Sequence, residues 1–105
     1  MTKAVVNSGI CGFSVTVTAE KGEGKKIHIS LDTECDMVKK MAEDISSLEM
    51  MAAFTGFANN PVYRAAAKNL KHVACPVPSG ILKALEVELG VALLKDASII
   101  FIKEG

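Results

Sequence analysis

Three cysteines carry the most reactive chemistry in this sequence of 105 residues. Cys11 lies in a glycine-rich turn, Cys35 lies in the first turn of an expected helix, and Cys75 lies just before another expected helix. The positive end of a helix dipole stabilises a thiolate, which favours Cys35 as a metal ligand. Thiolates are soft ligands that select zinc, copper(I) or iron–sulfur centres. The three cysteines therefore predict a site for an iron–sulfur cluster or for zinc.

A fourth ligand would have to come from a neighbouring side chain or from outside the protein. His72 lies three residues before Cys75, and Asp36 follows Cys35, so both are candidates. Water or a group from a partner protein is a further option. The cysteines are 24 and then 40 residues apart, and no Cys-x-x-Cys motif is present. Structural zinc sites usually contain such close pairs, so the spacing alone does not define a metal site.

The same cysteines also fit a protein without metal, because free cysteine is among the most frequently buried residue types. Cys35 shares its expected helical face with apolar residues, as a core residue would. The segment Met50–Phe57 then becomes the main feature, since six of its eight residues are apolar and none is charged. Such a segment should be buried against the sheet or against a second copy of the chain. The alternative prediction is therefore a metal-free interaction or dimerisation module.

An enzyme is the third class that the reactive residues allow. Only Cys75 with His72 offers a thiol beside a base, and no Ser/His/Asp set or pair of carboxylates is evident. We therefore expect a protein that is not an enzyme in the ordinary sense.

The elements that must position these residues can be read from periodicity. Residues 3–6, 13–19 and 27–31 are expected strands, and Thr33 is an expected N-cap of the helix that contains Cys35. An apolar helix in 50–57, a helix from Pro61 and a helix capped by Ser79 and ended by Gly90 should follow. The apolar run Ser98–Ile102 predicts a buried last strand. This order predicts a two-layer α+β fold, with helices packed on one face of a small antiparallel or mixed sheet.

Composition limits the partners and the cellular location. Half of the residues are hydrophobic, and 105 residues suit a single domain, which we place at 1–105. Twelve basic residues balance twelve acidic ones, with one tyrosine and no tryptophan, so we expect no nucleic-acid partner. The first residues do not form a signal peptide, and no apolar run reaches membrane-spanning length. We therefore expect a cytoplasmic protein with reduced thiols and no membrane partner.

The order of these features resembles the U-type iron–sulfur cluster assembly scaffolds. That family has a Cys-Gly before a strand, a second cysteine that opens the helix after the hairpin, and a third cysteine with a nearby histidine before a late helix. The matching residues here are Cys11-Gly12, Cys35, and His72 with Cys75, and the resemblance covers residues 5–89. It implies an α+β scaffold whose three thiolates receive persulfide sulfur and iron, and hence a protein partner for sulfur or cluster transfer.

The chain departs from that family at several positions. Phe13 stands where the family has an aspartate, the residues around Cys35 are not glycine-rich, and the Leu-Pro-Pro docking motif is missing. We therefore expect a diverged relative. The chain also resembles small uncharacterised domains of anaerobic prokaryotes, a resemblance that implies no activity.

Overall fold

Four strands of alternating apolar and polar residues form one antiparallel sheet. The computed structural model describes residues 1–105. The strands are β1 (Thr2–Asn7), β2 (Ser14–Lys21), β3 (Lys26–Thr33) and β4 (Ser47–Glu49), and they lie side by side in that order. Each strand pairs with the next one in an antiparallel register. The sheet is therefore a meander of sequence neighbours, and β1 and β4 form its two edges.

The alternation in the sequence separates the two faces of the sheet. In β2, Val15, Val17 and Ala19 are buried, whereas the threonines between them are partly exposed. In β3, Ile27 and Ile29 are buried, and the residues that alternate with them, such as His28, are exposed. One face thus supplies the core and the other faces solvent, as a period of two requires.

Three α-helices lie on the apolar side of the sheet. They are α1 (Asp36–Asp44), α2 (Pro61–Asn69) and α3 (Val77–Glu88), and two short 3₁₀ helices, Met50–Ala53 and Phe57–Asn59, lie between α1 and α2. Helix α3 packs on β1 and β2, α1 packs on β3, and α2 packs against both other helices. This arrangement confirms the predicted two-layer α+β fold. None of the helices is both long enough and apolar enough to span a membrane.

Contacts at both ends of α3 fix its position over β1. Gly80 lies so close to Val6 that a Cβ atom at this position would clash with the valine side chain. At the other end, the Glu88 carboxylate accepts hydrogen bonds from the Thr2 hydroxyl at 2.7 Å and from the Lys21 backbone N–H at 3.0 Å. Helix α3 therefore runs antiparallel to β1.

Two predicted helix caps are wrong. Thr33 is the last residue of β3, and its hydroxyl accepts a hydrogen bond from the backbone N–H of Cys35, which is the N-cap residue of α1. Ser79 lies inside the first turn of α3, which begins at Val77. Strand β3 continues through Thr33, and α3 begins two residues before Ser79. Neither residue therefore lies at the start of a helix.

The predicted last strand is also wrong. Residues 98–102 form no strand and have no backbone hydrogen bond to the sheet. The large apolar residues of this run are between 78% and 94% exposed: Ile99, Ile100, Phe101 and Ile102. A strand needs a neighbouring strand, and this chain leaves the run unpaired beyond α3. The molecule accordingly measures 53 × 28 × 25 Å.

Candidate interaction surface

The three cysteines differ in their surroundings. Cys11 is exposed at the tip of the β1–β2 hairpin, in a turn that the Gly12 N–H closes by donating to the Gly9 carbonyl. Cys35 is only 9% exposed and belongs to the apolar core. Cys75 is half-buried against that core, and its backbone N–H donates to the carbonyl of exposed His72. Cys35 and Cys75 thus occupy positions that suit packing.

The segments that carry the cysteines nevertheless lie at one end of the sheet. The β1–β2 hairpin with Cys11 continues from the Asn7–Ser14 pair, and Thr33, just before Cys35, is paired with the adjacent Val15. The start of α3, which follows Cys75, lies over the same end because Gly80 contacts Val6. The fold therefore brings the three segments to a common region.

Proximity of the segments does not assemble a ligand set in this structure. No group of three or more His, Cys, Asp or Glu side chains is positioned to hold a metal ion. The residues present therefore do not form a fitted metal or cluster site. The assignment of Cys11, Cys35, Cys75 and His72 as ligands stays a prediction.

An apolar surface on the helical side is the second candidate. We define it by four exposed side chains: Met50, Met51, Phe54 and Phe57. They come from the segment that was expected to be buried, yet Met51 is 63%, Phe54 is 58% and Phe57 is 78% exposed. Only Ala52 of this segment is buried in the core. Burial against the chain's own sheet is therefore wrong as a prediction for this segment.

Asn60 fixes the backbone beneath this apolar surface. It is 2% exposed, and its side-chain amide donates to the carbonyls of Ala52 at 2.8 Å and Thr55 at 2.9 Å. Its side-chain oxygen accepts from the Val62 N–H at 2.9 Å and so caps α2. The sequence contained a signal for this role, because an asparagine directly before a proline at the first helical position is a common helix start. The hydrogen bonds of Asn60 therefore fix the backbone that carries these exposed apolar side chains.

A cavity of about 250 Å³ adjoins the apolar surface, between it and helices α2 and α3. Phe57 packs on Tyr63 there, with ring centroids 5.1 Å apart, and Leu82 of α3 contributes to the lining. A larger cavity of about 580 Å³ lies beside α2 and has a mainly polar lining. The Asp44 carboxylate, which lines this larger cavity, lies 3.6 Å from the Lys68 ammonium and accepts a hydrogen bond from the Asn69 side-chain amide at 2.8 Å. The smaller cavity is thus the one that continues an apolar surface.

The fold and these surfaces define a small two-layer α+β domain with an exposed apolar surface on its helical side. The chain belongs to a family of unknown function, DUF6951, whose model matches residues 2–101. Comparison with curated proteins gave no match. Comparison with solved structures gave no match either.

Proposed function

We propose that this protein is an interaction module that self-associates through the apolar surface. The observation that carries the proposal is the exposure of four large apolar side chains on a backbone that buried Asn60 holds in place. Apolar patches of this kind mark contact sites in folded proteins. A fixed backbone also lowers the ordering cost of association.

A second copy of the chain is the partner that fits this surface. The segment Met50–Phe57 has no charged residue, and the charged side chains at the adjoining cavity, Lys83 and Glu86, have opposite signs, so the surface does not select a partner of one net charge. A two-fold axis would place the same uncharged surface on both sides of the contact, as isologous interfaces do. Aromatic and methionine side chains are also enriched in the cores of protein interfaces.

The test is a pair of charged substitutions on the apolar surface. We expect Met51→Lys with Phe54→Lys to weaken self-association at least tenfold, because each lysine replaces an apolar side chain worth roughly 1.5–3 kcal/mol of burial. Sedimentation equilibrium over a concentration series gives the mass and the association constant. Circular dichroism checks that the fold is retained.

Ile10→Lys is the matched control, because Ile10 is a fully exposed apolar residue at the hairpin tip, away from the apolar surface. The control should associate as the unmodified protein does. The proposal is wrong if the double variant keeps the mass and association constant of the unmodified protein.

A metal or cluster scaffold that uses the three cysteines is the second candidate. Its support is the placement of the three cysteine-bearing segments at one end of the sheet. Binding would require Cys11, Cys35 and Cys75 to approach one another, with His72 as a candidate fourth ligand. Thiolate ligands fit zinc or an iron–sulfur cluster.

The substitution Cys35→Ser tests whether Cys35 is a metal ligand or only a core residue. If Cys35 is a ligand, anaerobic reconstitution with iron and sulfide, or with zinc, should load the unmodified protein, and the variant should lose metal. If Cys35 only packs, the variant should lose about 1–3 kcal/mol of unfolding free energy, because a buried hydroxyl replaces the thiol. Metal analysis and visible absorption after desalting decide between the two. A protein that retains no metal contradicts the scaffold proposal.

A further inference from the structure

The strand β1 has an unpaired edge whose hydrogen-bonding groups can be identified. The Ser8 N–H donates to the Phe13 carbonyl, and these residues continue the register that pairs β1 with β2. In an antiparallel pair, such directly bonded positions alternate with positions whose backbone groups point away from the partner strand. Three residues of β1 therefore direct their N–H and C=O groups to the open edge: Lys3, Val5 and Asn7.

The opposite edge of the sheet is divided between two strands, because β4 pairs only with residues 26–28 of β3 and leaves residues 30–33 as a short open stretch that contains Asp32. Strand β4 has only three residues, Ser47–Glu49, and a 3₁₀ helix follows it immediately. Very short edge strands and charged residues are the usual protection against added strands. Strand β1 is six residues long and contains no proline and one charged residue, Lys3. It is therefore the longest open stretch of edge in the sheet and the one best suited to accept another strand.

The chain also contains a strand-like segment without a partner. Residues 98–102 have the sequence Ser-Ile-Ile-Phe-Ile, rich in β-branched and aromatic residues, and their backbone is unpaired. Five residues of strand span about 17 Å, which matches the six residues of β1 at about 20 Å. The match to the family model extends to residue 101, so the region that defines the family includes nearly all of this segment.

We propose that residues 98–102 of one chain pair with the β1 edge of a second copy and form a fifth strand there. This contact uses a different surface from the apolar surface of Met50, Met51, Phe54 and Phe57, so it goes beyond the proposed function. Reciprocal exchange between two chains gives a closed, two-fold contact. It packs four large apolar side chains of the two segments on the helix-covered sides of the sheets, and with the edge surface that the strands cover it buries on the order of 1,000 Å², which is the size at which specific interfaces begin.

A second copy fits this role better than the chain's own β1. Along a strand, Ile99 and Phe101 would face one side of the sheet, and Ile100 and Ile102 would face the other. Two of these four side chains therefore lie on the helix-free face, beside exposed Val5, in any pairing with β1, and within the single chain the run does not make this pairing. Residues 91–97 span up to about 25 Å, which is long enough to carry the run from α3 to the β1 edge of a neighbouring chain.

Val5→Pro tests the edge directly. Proline removes the outward N–H of Val5 and leaves the β1–β2 ladder intact, because the ladder bonds belong to the neighbouring residues. Val5→Thr is the matched control, since it keeps the N–H and the β-branched shape. Ile100→Lys with Phe101→Lys tests the segment 98–102 itself. These two side chains are 78% and 94% exposed in the single chain, so the substitutions should not disturb folding.

Two self-contacts on separate surfaces, each with a two-fold axis, predict four chains in the assembly when the two axes are perpendicular, as in D2 tetramers. By sedimentation equilibrium, Val5→Pro should give a dimer, and so should the variant with Ile100→Lys and Phe101→Lys. Val5→Thr should have the mass of the unmodified protein. Val5→Pro combined with Met51→Lys and Phe54→Lys should give a monomer. Amides of residues 98–102 should be protected from hydrogen exchange in the unmodified protein and lose that protection at least tenfold in Val5→Pro.

The outcomes separate the two contacts. If only the strand exchange is wrong, the unmodified protein is a dimer, Val5→Pro has no effect on mass, and the apolar-surface variant is a monomer. If only the apolar surface is wrong, Val5→Pro gives the monomer instead. Protection in 98–102 without any change of mass in Val5→Pro would mean that the segment pairs with its own β1, which also overturns the proposal.

Discussion

Single residues in this protein act mainly by satisfying backbone groups where elements meet. Asn60 binds two carbonyls and one N–H with one side chain, and Glu88 joins α3 to two strands. Asn60 could be inferred from its position before Pro61, because local sequence signals helix starts. The partners of Glu88 could not be inferred, because Thr2 is 86 residues away in the sequence.

Glu88 should make stability depend on acid pH. Hydrogen bonds from the Thr2 hydroxyl and then the Lys21 N–H hold the pKa of Glu88 below its ordinary value of 4.5, although partial burial opposes them. A lowered folded-state pKa stabilises the fold above the unfolded-state value, and that contribution is lost as the pH falls through the folded-state pKa. We expect Glu88→Gln to lower the unfolding free energy by about 1 kcal/mol at pH 7 and to have a much smaller effect near pH 2.

Chemical unfolding at several pH values, followed by circular dichroism because the chain has no tryptophan, measures this difference. Glu43→Gln removes the same charge from an exposed position on α1 and is the control. An equal loss of stability at pH 7 and pH 2 would show that the charge of the Glu88 carboxylate does not contribute.

At the scale of elements, local periodicity was enough for the strands and helices that have partners within the chain. The three main strands and α2 were expected within about two residues of their ends. Burial of Met50–Phe57 against the chain's own sheet and the strand at Ser98–Ile102 were wrong for one reason, and burial of Met50–Phe57 against a second copy stays a prediction. Their apolar composition predicts burial, but composition does not say whether the covering surface belongs to the same chain.

The contact between α3 and β1 gives an element-scale prediction. Gly80→Ala would place a methyl group against Val6, and the resulting clash should outweigh the higher helix propensity of alanine. We expect a loss of about 1–2 kcal/mol in unfolding free energy. In a double-mutant cycle, Val6→Ala should cost less in the Gly80→Ala background than in the unmodified protein. Additive effects of the two substitutions would mean that the backbone adjusts elsewhere.

At the scale of the whole molecule, the chain separates a well-packed core from two unpaired apolar features. No buried side-chain polar atom lacks a hydrogen bond, so the core needs nothing from outside. The apolar surface and the run after α3 are the parts that a single chain leaves incomplete. The sequence predicted the first of them as a possible dimer contact, because an uncharged apolar segment was visible there. It could not identify β1 as an open edge, because strand order depends on pairings between distant residues.

The position of α3 over the first two strands also affects the order of events during synthesis. The meander of β1, β2 and β3 joins sequence neighbours, so these strands can pair as soon as they leave the ribosome. The helix that covers Val6 and the apolar side of β2 is made about 60 residues later than β2. Until then, the apolar face of the sheet in a growing chain is uncovered. Chaperones bind surfaces of this kind, and neighbouring nascent chains on the same mRNA can associate through them.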